Sequence, residues 1–285
     1  MRIYSVASAV LISSCLLFLA GGQSAAAQDA IEIVDTDLAR QVAEAEAFGW
    51  KLRRYDQAAW HATDALFKDI GVQEIENPRG YVVVPRATDT MLDTVFVVER
   101  EGELRQYARY VVDGGSVVSG GVIEGSLPLL TGVALEMFAA RGPALDAMRT
   151  QDYRLCSERS PNTLVLPPDE NGAMAFFMLT STTQTDIYPI GGHYRADVRG
   201  DGTVASTRRY TNTCYDLPLT VAELPDAKQA RPGISYVLGD APSEIHAFAS
   251  YHFPQGMYVI TTSNSKLWLI EQGKISLVKE DFAPN

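Results

Sequence analysis

The sequence has 285 residues, of which 46% are hydrophobic and 21% charged, and its formal net charge is −11. This composition is typical of a folded globular protein and excludes an intrinsically disordered chain. The length suffices for one large domain or two small ones. The acidic excess repels phosphate backbones, and the densest basic cluster (Lys51, Arg53 and Arg54) is too small for a nucleic-acid interface, so we expect no nucleic-acid partner.

The first 27 residues have the pattern of a secretory signal peptide. Arg2 supplies a positive charge, an apolar segment runs from about Val6 to Ala20, and Ala25-Ala26-Ala27 provides an A-x-A cleavage site. The apolar segment is shorter than the roughly 20 residues that a membrane-spanning helix needs, which disfavours an uncleaved anchor. We therefore expect cleavage after Ala27, no stable membrane insertion afterwards, and a periplasmic or secreted protein.

The number and positions of the cysteines are consistent with an exported protein. Cys15 lies inside the apolar segment, which continues beyond it, so a lipoprotein signal ending at that cysteine is disfavoured. Removal of the signal peptide leaves Cys156 and Cys214, and two cysteines in an exported domain usually pair. We predict a Cys156–Cys214 disulfide, with two separate buried thiols as the alternative.

Residues 36–70 have the pattern of a helix. Thr36 is a candidate N-cap, and apolar residues recur about every 3.5 positions. Gly49 weakens the middle of the segment, and Tyr55-Asp56 is a suitable start for a second helix. We predict two helices or one kinked helix, ending near Gly71.

A change of pattern follows at residue 80. Short apolar runs separated by turn sequences such as Asp113-Gly114-Gly115 predict an antiparallel meander over residues 80–123. Residues 133–150 return to a helical pattern, which Gly142-Pro143 divides into two short helices.

Residues 152–280 read mostly as strands. The predicted strands are Thr163–Leu166, Met174–Thr180, Gly192–Val198, Val204–Asn212, Ile234–Leu238, Ile245–Phe253, Tyr258–Thr262, Leu267–Ile270 and Ile275–Val278. Leu219–Pro232 is predicted as a long loop. Beyond the signal peptide of residues 1–27, we divide the chain into residues 28–150 and residues 151–285, packed together as one globular unit.

The sequence predicts an α+β fold, in which N-terminal helices pack on a predominantly antiparallel β-sheet architecture. Two related β units are an alternative organisation, because short motifs recur at offsets of about 81 to 88 residues. Val83-Val84-Pro85 resembles Val165-Leu166-Pro167, Phe96-Val97-Val98 resembles Phe177-Met178-Leu179, and Asp113-Gly114-Gly115 resembles Asp201-Gly202.

The candidate site residues are His193, Glu244 and His246. If Ile245–Phe253 is a strand, Glu244 and His246 lie on one face of it, within reach of His193 on another strand. Two histidines and a carboxylate are sufficient ligands for zinc or iron, and a histidine can act as acid or base near neutral pH. These three residues are therefore our candidates for catalysis and for metal binding, although the sequence identifies no cofactor.

Established catalytic patterns such as G-x-S-x-G, H-E-x-x-H and the P-loop do not occur in the sequence. Tyrosines are frequent in the predicted strands, and they offer flat apolar area with a polar tip that suits peptide or sugar binding. Our leading hypothesis is a non-catalytic binding or interaction module whose partner is an envelope protein, a peptide or a glycan. The alternative is a metal-dependent or other hydrolase built on the His/Glu cluster of a C-terminal sheet.

Overall fold

The computed structural model describes residues 30–71, 75–86, 90–151, 153–182, 184–219 and 231–282. The predicted signal peptide lies outside the described residues, as does most of the predicted loop at 219–232.

A single long helix, α1 (Thr36–Ile70), opens the described structure. Its N-cap is Asp35, whose carboxylate accepts hydrogen bonds from the backbone of Asp37 and Leu38, so the prediction of a Thr36 cap is wrong by one residue. The helix ends at Gly71, as predicted, where φ is 59°. Of the two predicted alternatives, two helices or one kinked helix, the structure has a single helix.

Helix α1 packs on a four-stranded antiparallel sheet. The strands follow in chain order as β1 (Pro78–Pro85), β2 (Met91–Arg100), β3 (Glu103–Asp113) and β4 (Ser116–Val122). The meander predicted over residues 80–123 is therefore confirmed.

Two short helices follow the first sheet. They are α2 (Gly132–Ala139) and α3 (Arg141–Thr150), and the break between them falls at Ala140. The break lies two residues before the predicted one at Gly142-Pro143. Pro143 falls in the first turn of α3, where a proline costs no intrahelical hydrogen bond.

A second antiparallel sheet has the strand order β5-β6-β8-β9. Its strands are β5 (Asn162–Val165), β6 (Met174–Leu179), β8 (Tyr194–Val198) and β9 (Val204–Arg209). Two short strands that the sequence did not indicate, β7 (Ile187–Pro189) and β10 (Asp216–Pro218), pair beside it. The predicted disulfide is confirmed, since Cys156 and Cys214 are bonded with their Cα atoms 5.3 Å apart.

The C-terminal part combines a buried helix with a third sheet. After β11 (Gly233–Tyr236) the chain forms α4 (Glu244–Ser250) and returns as β12 (Met257–Thr261), β13 (Lys266–Glu271) and β14 (Lys274–Lys279). Strands β11 and β12 are parallel because α4 connects them, whereas the pairs β12–β13 and β13–β14 are antiparallel.

The architecture is the predicted α+β fold, with helices on predominantly antiparallel sheets. One contiguous core joins α1, α4 and the sheets, and the described residues from Ile31 onward form one compact unit. None of the helices in the described ranges has both the length and the apolar character needed to span a bilayer.

The short repeated motifs occupy corresponding places in the first two sheets. Val83-Val84-Pro85 and Val165-Leu166-Pro167 end the first strand of each, and Phe96 and Phe177 lie in the second. The turn Asp201-Gly202 joins the last two strands of the second sheet, as Asp113-Gly114-Gly115 does in the first. A duplication of one β unit stays a prediction.

Candidate functional site

The segment with Glu244 and His246 is helix α4, so the predicted strand at 245–253 is wrong. The two residues therefore do not belong to a C-terminal sheet. Every residue of α4 is buried. Periodicity cannot distinguish a fully buried helix from a strand, because such a segment has no exposed face. The local signal for a helix start was Ser243, which forms a capping box with His246.

His193 lies between β7 and β8 and is buried. Its Nδ1 atom accepts a hydrogen bond from the Thr180 backbone N–H at 3.1 Å, so the proton is on Nε2, which donates to the Pro189 carbonyl at 2.8 Å. Burial lowers the pKa of His193 to about 4. The ring is therefore neutral at physiological pH, and both of its nitrogens form hydrogen bonds within the fold.

His246 is held in the same way at the start of α4. Its Nδ1 atom accepts from the Ser243 backbone N–H at 2.9 Å, and the edge of its ring meets Tyr236, with ring centroids 4.6 Å apart. Burial, together with the nearby charges of Arg208 and His193, lowers the pKa of His246 to about 3.

Glu244 is the centre of a buried ion-pair network. Its carboxylate accepts hydrogen bonds from Arg195 at 2.9 Å, from Arg208 at 3.3 Å and from the Tyr210 hydroxyl. Burial opposes ionisation of Glu244, but Arg208, the Tyr210 hydroxyl and Arg195 together hold its pKa below the ordinary value. Asp197 also pairs with Arg195, at 2.7 Å.

The structure thus brings His193, Glu244 and His246 into one buried region, but with internal partners. Within the part of the chain that the structure describes, no group of three or more His, Cys, Asp or Glu side chains is placed to hold a metal ion. A catalytic or metal-binding role for these three residues stays a prediction, and the contacts they make are those of core packing and helix capping.

A different region has the geometry of a ligand site. A cavity of about 730 Å³ lies between α1, β1, β7 and His252, the second residue after α4. Its ring-bearing lining residues are Trp60, Tyr81, Tyr188 and His252, and its polar ones include Asp56, Thr63, Arg159, Ser160, Asn162, Ser181, Thr182, Gln184 and Thr185. The volume lies within the range of small-molecule sites, which is about 300–1,000 Å³.

Contacts with neighbouring rings fix the orientation of the aromatic side chains in this cavity. Tyr188 stacks on His252 with ring centroids 4.5 Å apart and meets Phe253 edge-on at 5.9 Å. Trp60 stays 55% exposed and stacks on His61 at 4.9 Å. The cavity therefore combines a fixed aromatic wall with an accessible indole at its rim.

Asp56 places one carboxylate in this lining. Burial raises its pKa to about 6, and the positive charge of Arg53 only partly offsets that effect. The pKa of Tyr81 is raised to about 12 by burial and by the charge of Asp56. Within the described ranges, the Asp56 carboxylate accepts no hydrogen bond and forms no ion pair. It is a carboxylate without a protein partner beside aromatic rings.

The sequence did not identify Asp56 as a site residue. The available signal was local: Asp56 and Trp60 are four residues apart on α1, and Ala59 and Thr63 fall on the same side, so an acid interrupts a face of small residues. The other lining residues with rings, Tyr81, Tyr188 and His252, are distant in sequence, and only the fold brings them to that face of α1.

No protein-family model matches the chain, and neither a curated protein nor a solved structure matches it significantly.

Proposed function

We propose that this protein is an exported, non-catalytic binding protein whose ligand site is the cavity around Asp56. The observation that carries the proposal is the combination in one cavity of about 730 Å³ of three aromatic rings, several hydroxyl and amide groups and one unpaired carboxylate. Such a lining offers apolar area for affinity and a few polar groups for orientation.

The described residues that line the cavity do not form the relay of contacting groups that hydrolysis uses. A catalytic carboxylate or histidine works with a second group that it contacts directly, such as a nucleophile, a base or a second carboxylate. No hydrogen bond between described residues joins Asp56 to His252, Tyr81 or Tyr188, and His252 stacks on a tyrosine ring instead. This arrangement favours binding over the hydrolase alternative.

The cavity has room for a small molecule, or for one side chain of a peptide or one unit of a glycan. The partner classes predicted from the sequence therefore remain open for this site. The signal-peptide pattern and the disulfide support export, since disulfides persist in oxidising compartments.

The neutral fluorophore N-phenyl-1-naphthylamine tests whether the cavity admits an organic ligand. We expect the processed protein to increase its emission and to transfer energy to it from Trp60, which lines the cavity. Trp60→Phe should reduce the transfer more than Trp50→Phe does, because Trp60 is the tryptophan that lines the cavity. Trp50→Phe is the matched control, because Trp50 is similarly exposed on α1 but does not line the cavity.

A second variant tests the location without a tryptophan change. Thr63→Phe places a ring in the cavity from α1 and should weaken dye binding. The proposed site would be contradicted if the dye did not bind, or if neither Trp60→Phe nor Thr63→Phe changed its emission or its energy transfer.

A further inference from the structure

The Asp56 carboxylate and the cavity rings together indicate the charge of the ligand. The Asp56 carboxylate is partly exposed in the cavity and accepts no hydrogen bond from a described residue, so it attracts a positively charged ligand that enters the cavity. The faces of tryptophan and tyrosine rings carry negative partial charge and attract cations within about 6 Å. Both features select against an anion.

We propose that the cavity binds an organic ammonium ion, whose cationic group sits against the Asp56 carboxylate and among the rings of Trp60, Tyr81 and Tyr188. This inference rests on the proposed function and names the ligand class of the same site. An organic cation also fits the net charge of −11, because the acidic surface raises the local concentration of cations.

The protein's own cations near the cavity do not occupy this position. Arg53, one turn before Asp56 on α1, has its guanidinium over the Tyr251 ring at 5.6 Å. Arg159 donates to the Thr182 carbonyl at 3.5 Å, and Arg141 donates to the backbone of Arg79 and Tyr81. None of the three forms an ion pair with Asp56 in the described structure, so the carboxylate stays open to a ligand.

An organic cation fits the lining better than a metal ion. A metal needs several oxygen, nitrogen or sulfur ligands converging at about 2 to 2.6 Å, and Asp56 is the only carboxylate among the described lining residues. Aromatic rings supply no such ligands, but they accommodate the methyl or methylene groups of an ammonium ion.

Three probes of nearly one shape separate charge from size. Choline is positive, 3,3-dimethylbutan-1-ol is its neutral counterpart, and 3,3-dimethylbutanoate is negative. Titration calorimetry of the processed protein at pH 7.5 should show choline binding about tenfold tighter than the alcohol, with the butanoate weakest. A tenfold difference is the scale expected when a cation meets aromatic rings and a carboxylate.

Variants assign the selectivity to one residue. Asp56→Asn should remove most of the preference for choline over the alcohol, because only the weaker attraction of the rings remains, and should leave alcohol binding unchanged. Asp64→Asn is the matched control, because it removes the same charge from an exposed position on α1 that does not line the cavity. Choline selectivity should persist in that variant.

The pH dependence gives a readout that a merely structural role would not produce. Choline carries its charge at every pH, so its binding should weaken as pH falls through about 6, where Asp56 becomes protonated. His252 stays neutral down to about pH 4 and Tyr81 is neutral over this range, and the other charged groups near the cavity are the guanidinium groups of Arg53, Arg141 and Arg159. Binding of the neutral alcohol should not change between pH 7.5 and pH 5.

The outcomes separate the two proposals. Alcohol binding equal to choline binding, or choline selectivity retained in Asp56→Asn, overturns the ammonium inference and leaves the binding site intact. Naphthylamine bound in the cavity without any response to choline also overturns the inference alone. If the dye does not bind, the proposed function fails as well.

Discussion

Burial acts on individual titratable residues in two ways in this protein. His193 and His246 are neutral when buried. Both ring nitrogens of His193 and the Nδ1 atom of His246 form hydrogen bonds to the backbone. Asp56 is desolvated without such bonds, so its charged form is disfavoured in the folded state. The first two residues stabilise local structure, whereas Asp56 costs stability at neutral pH.

Asp56→Asn should therefore stabilise the protein at neutral pH. The folded-state pKa of about 6 lies above the ordinary value of 3.8, so stability falls as pH rises between these values and the full cost is present above pH 6. A pKa difference of one corresponds to about 1.4 kcal/mol, and with allowance for partial solvent exposure we expect a gain of about 1–2 kcal/mol at pH 7.5.

Urea denaturation of both proteins at pH 7.5 and near pH 4 measures this effect. The gain should disappear near pH 4, where the Asp56 carboxyl is protonated in the folded protein. An equal difference at the two pH values would contradict the electrostatic explanation. Asp64→Asn, at an exposed position, should change stability little at either pH.

Packing between α1 and α4 explains why position 49 is a glycine, although helix propensity disfavours glycine there. Gly49 lies in the middle of α1, where glycine costs about 1 kcal/mol relative to alanine. A Cβ atom at this position would lie 2.5 Å from the Ala247 Cβ and 3.0 Å from the Phe248 backbone nitrogen. The glycine therefore permits close contact of two helices, and it does not mark a break between them.

Gly49→Ala should destabilise the protein by about 1–2 kcal/mol, because overpacking outweighs the gain in helix propensity. The midpoint of urea denaturation measures the change. Adding Ala247→Gly should recover part of the loss by relieving the closest contact. Gly142→Ala in α3 is the control, since its Cβ would meet no heavy atom within 4 Å, and it should not destabilise.

At the scale of the whole molecule, the Glu244 network connects elements from different parts of the fold. Glu244 in α4 binds Arg195 of β8 and Arg208 of β9, and Arg208 also donates to the Tyr236 hydroxyl of β11 at 3.2 Å. The network therefore joins the second and third sheets through a buried helix.

Glu244→Gln should destabilise the protein by about 3 kcal/mol, because it leaves two arginines short of a buried counter-charge. Thermal and urea unfolding measure the loss. Asp146→Asn is the control, since the Asp146–Arg149 pair is more than 70% exposed on both sides and contributes little. A loss as small as that of the control would show that Arg195 and Arg208 are solvated in solution.

Local sequence signals were sufficient to predict most of the helices and strands. The meander at residues 80–123, the end of α1 at Gly71 and most of the C-terminal strands follow from short-range periodicity and from turn residues that accept positive φ, such as Gly114 and Gly202. The disulfide was predicted from two cysteines in a chain whose first 27 residues have the pattern of a signal peptide. These features depend on neighbouring residues or on a simple count, which a sequence displays directly.

The sequence by itself determined that the protein is acidic, and it predicted the α+β fold and the Cys156–Cys214 disulfide that the structure has. Only the tertiary structure decided that residues 244–250 form a helix and that Asp56 shares a cavity with Tyr81, Tyr188 and His252. A fully buried segment lacks the polar face that reveals its periodicity. The cavity beside Asp56 is lined by residues from several separate parts of the chain, and no local pattern records that the fold brings them to this carboxylate.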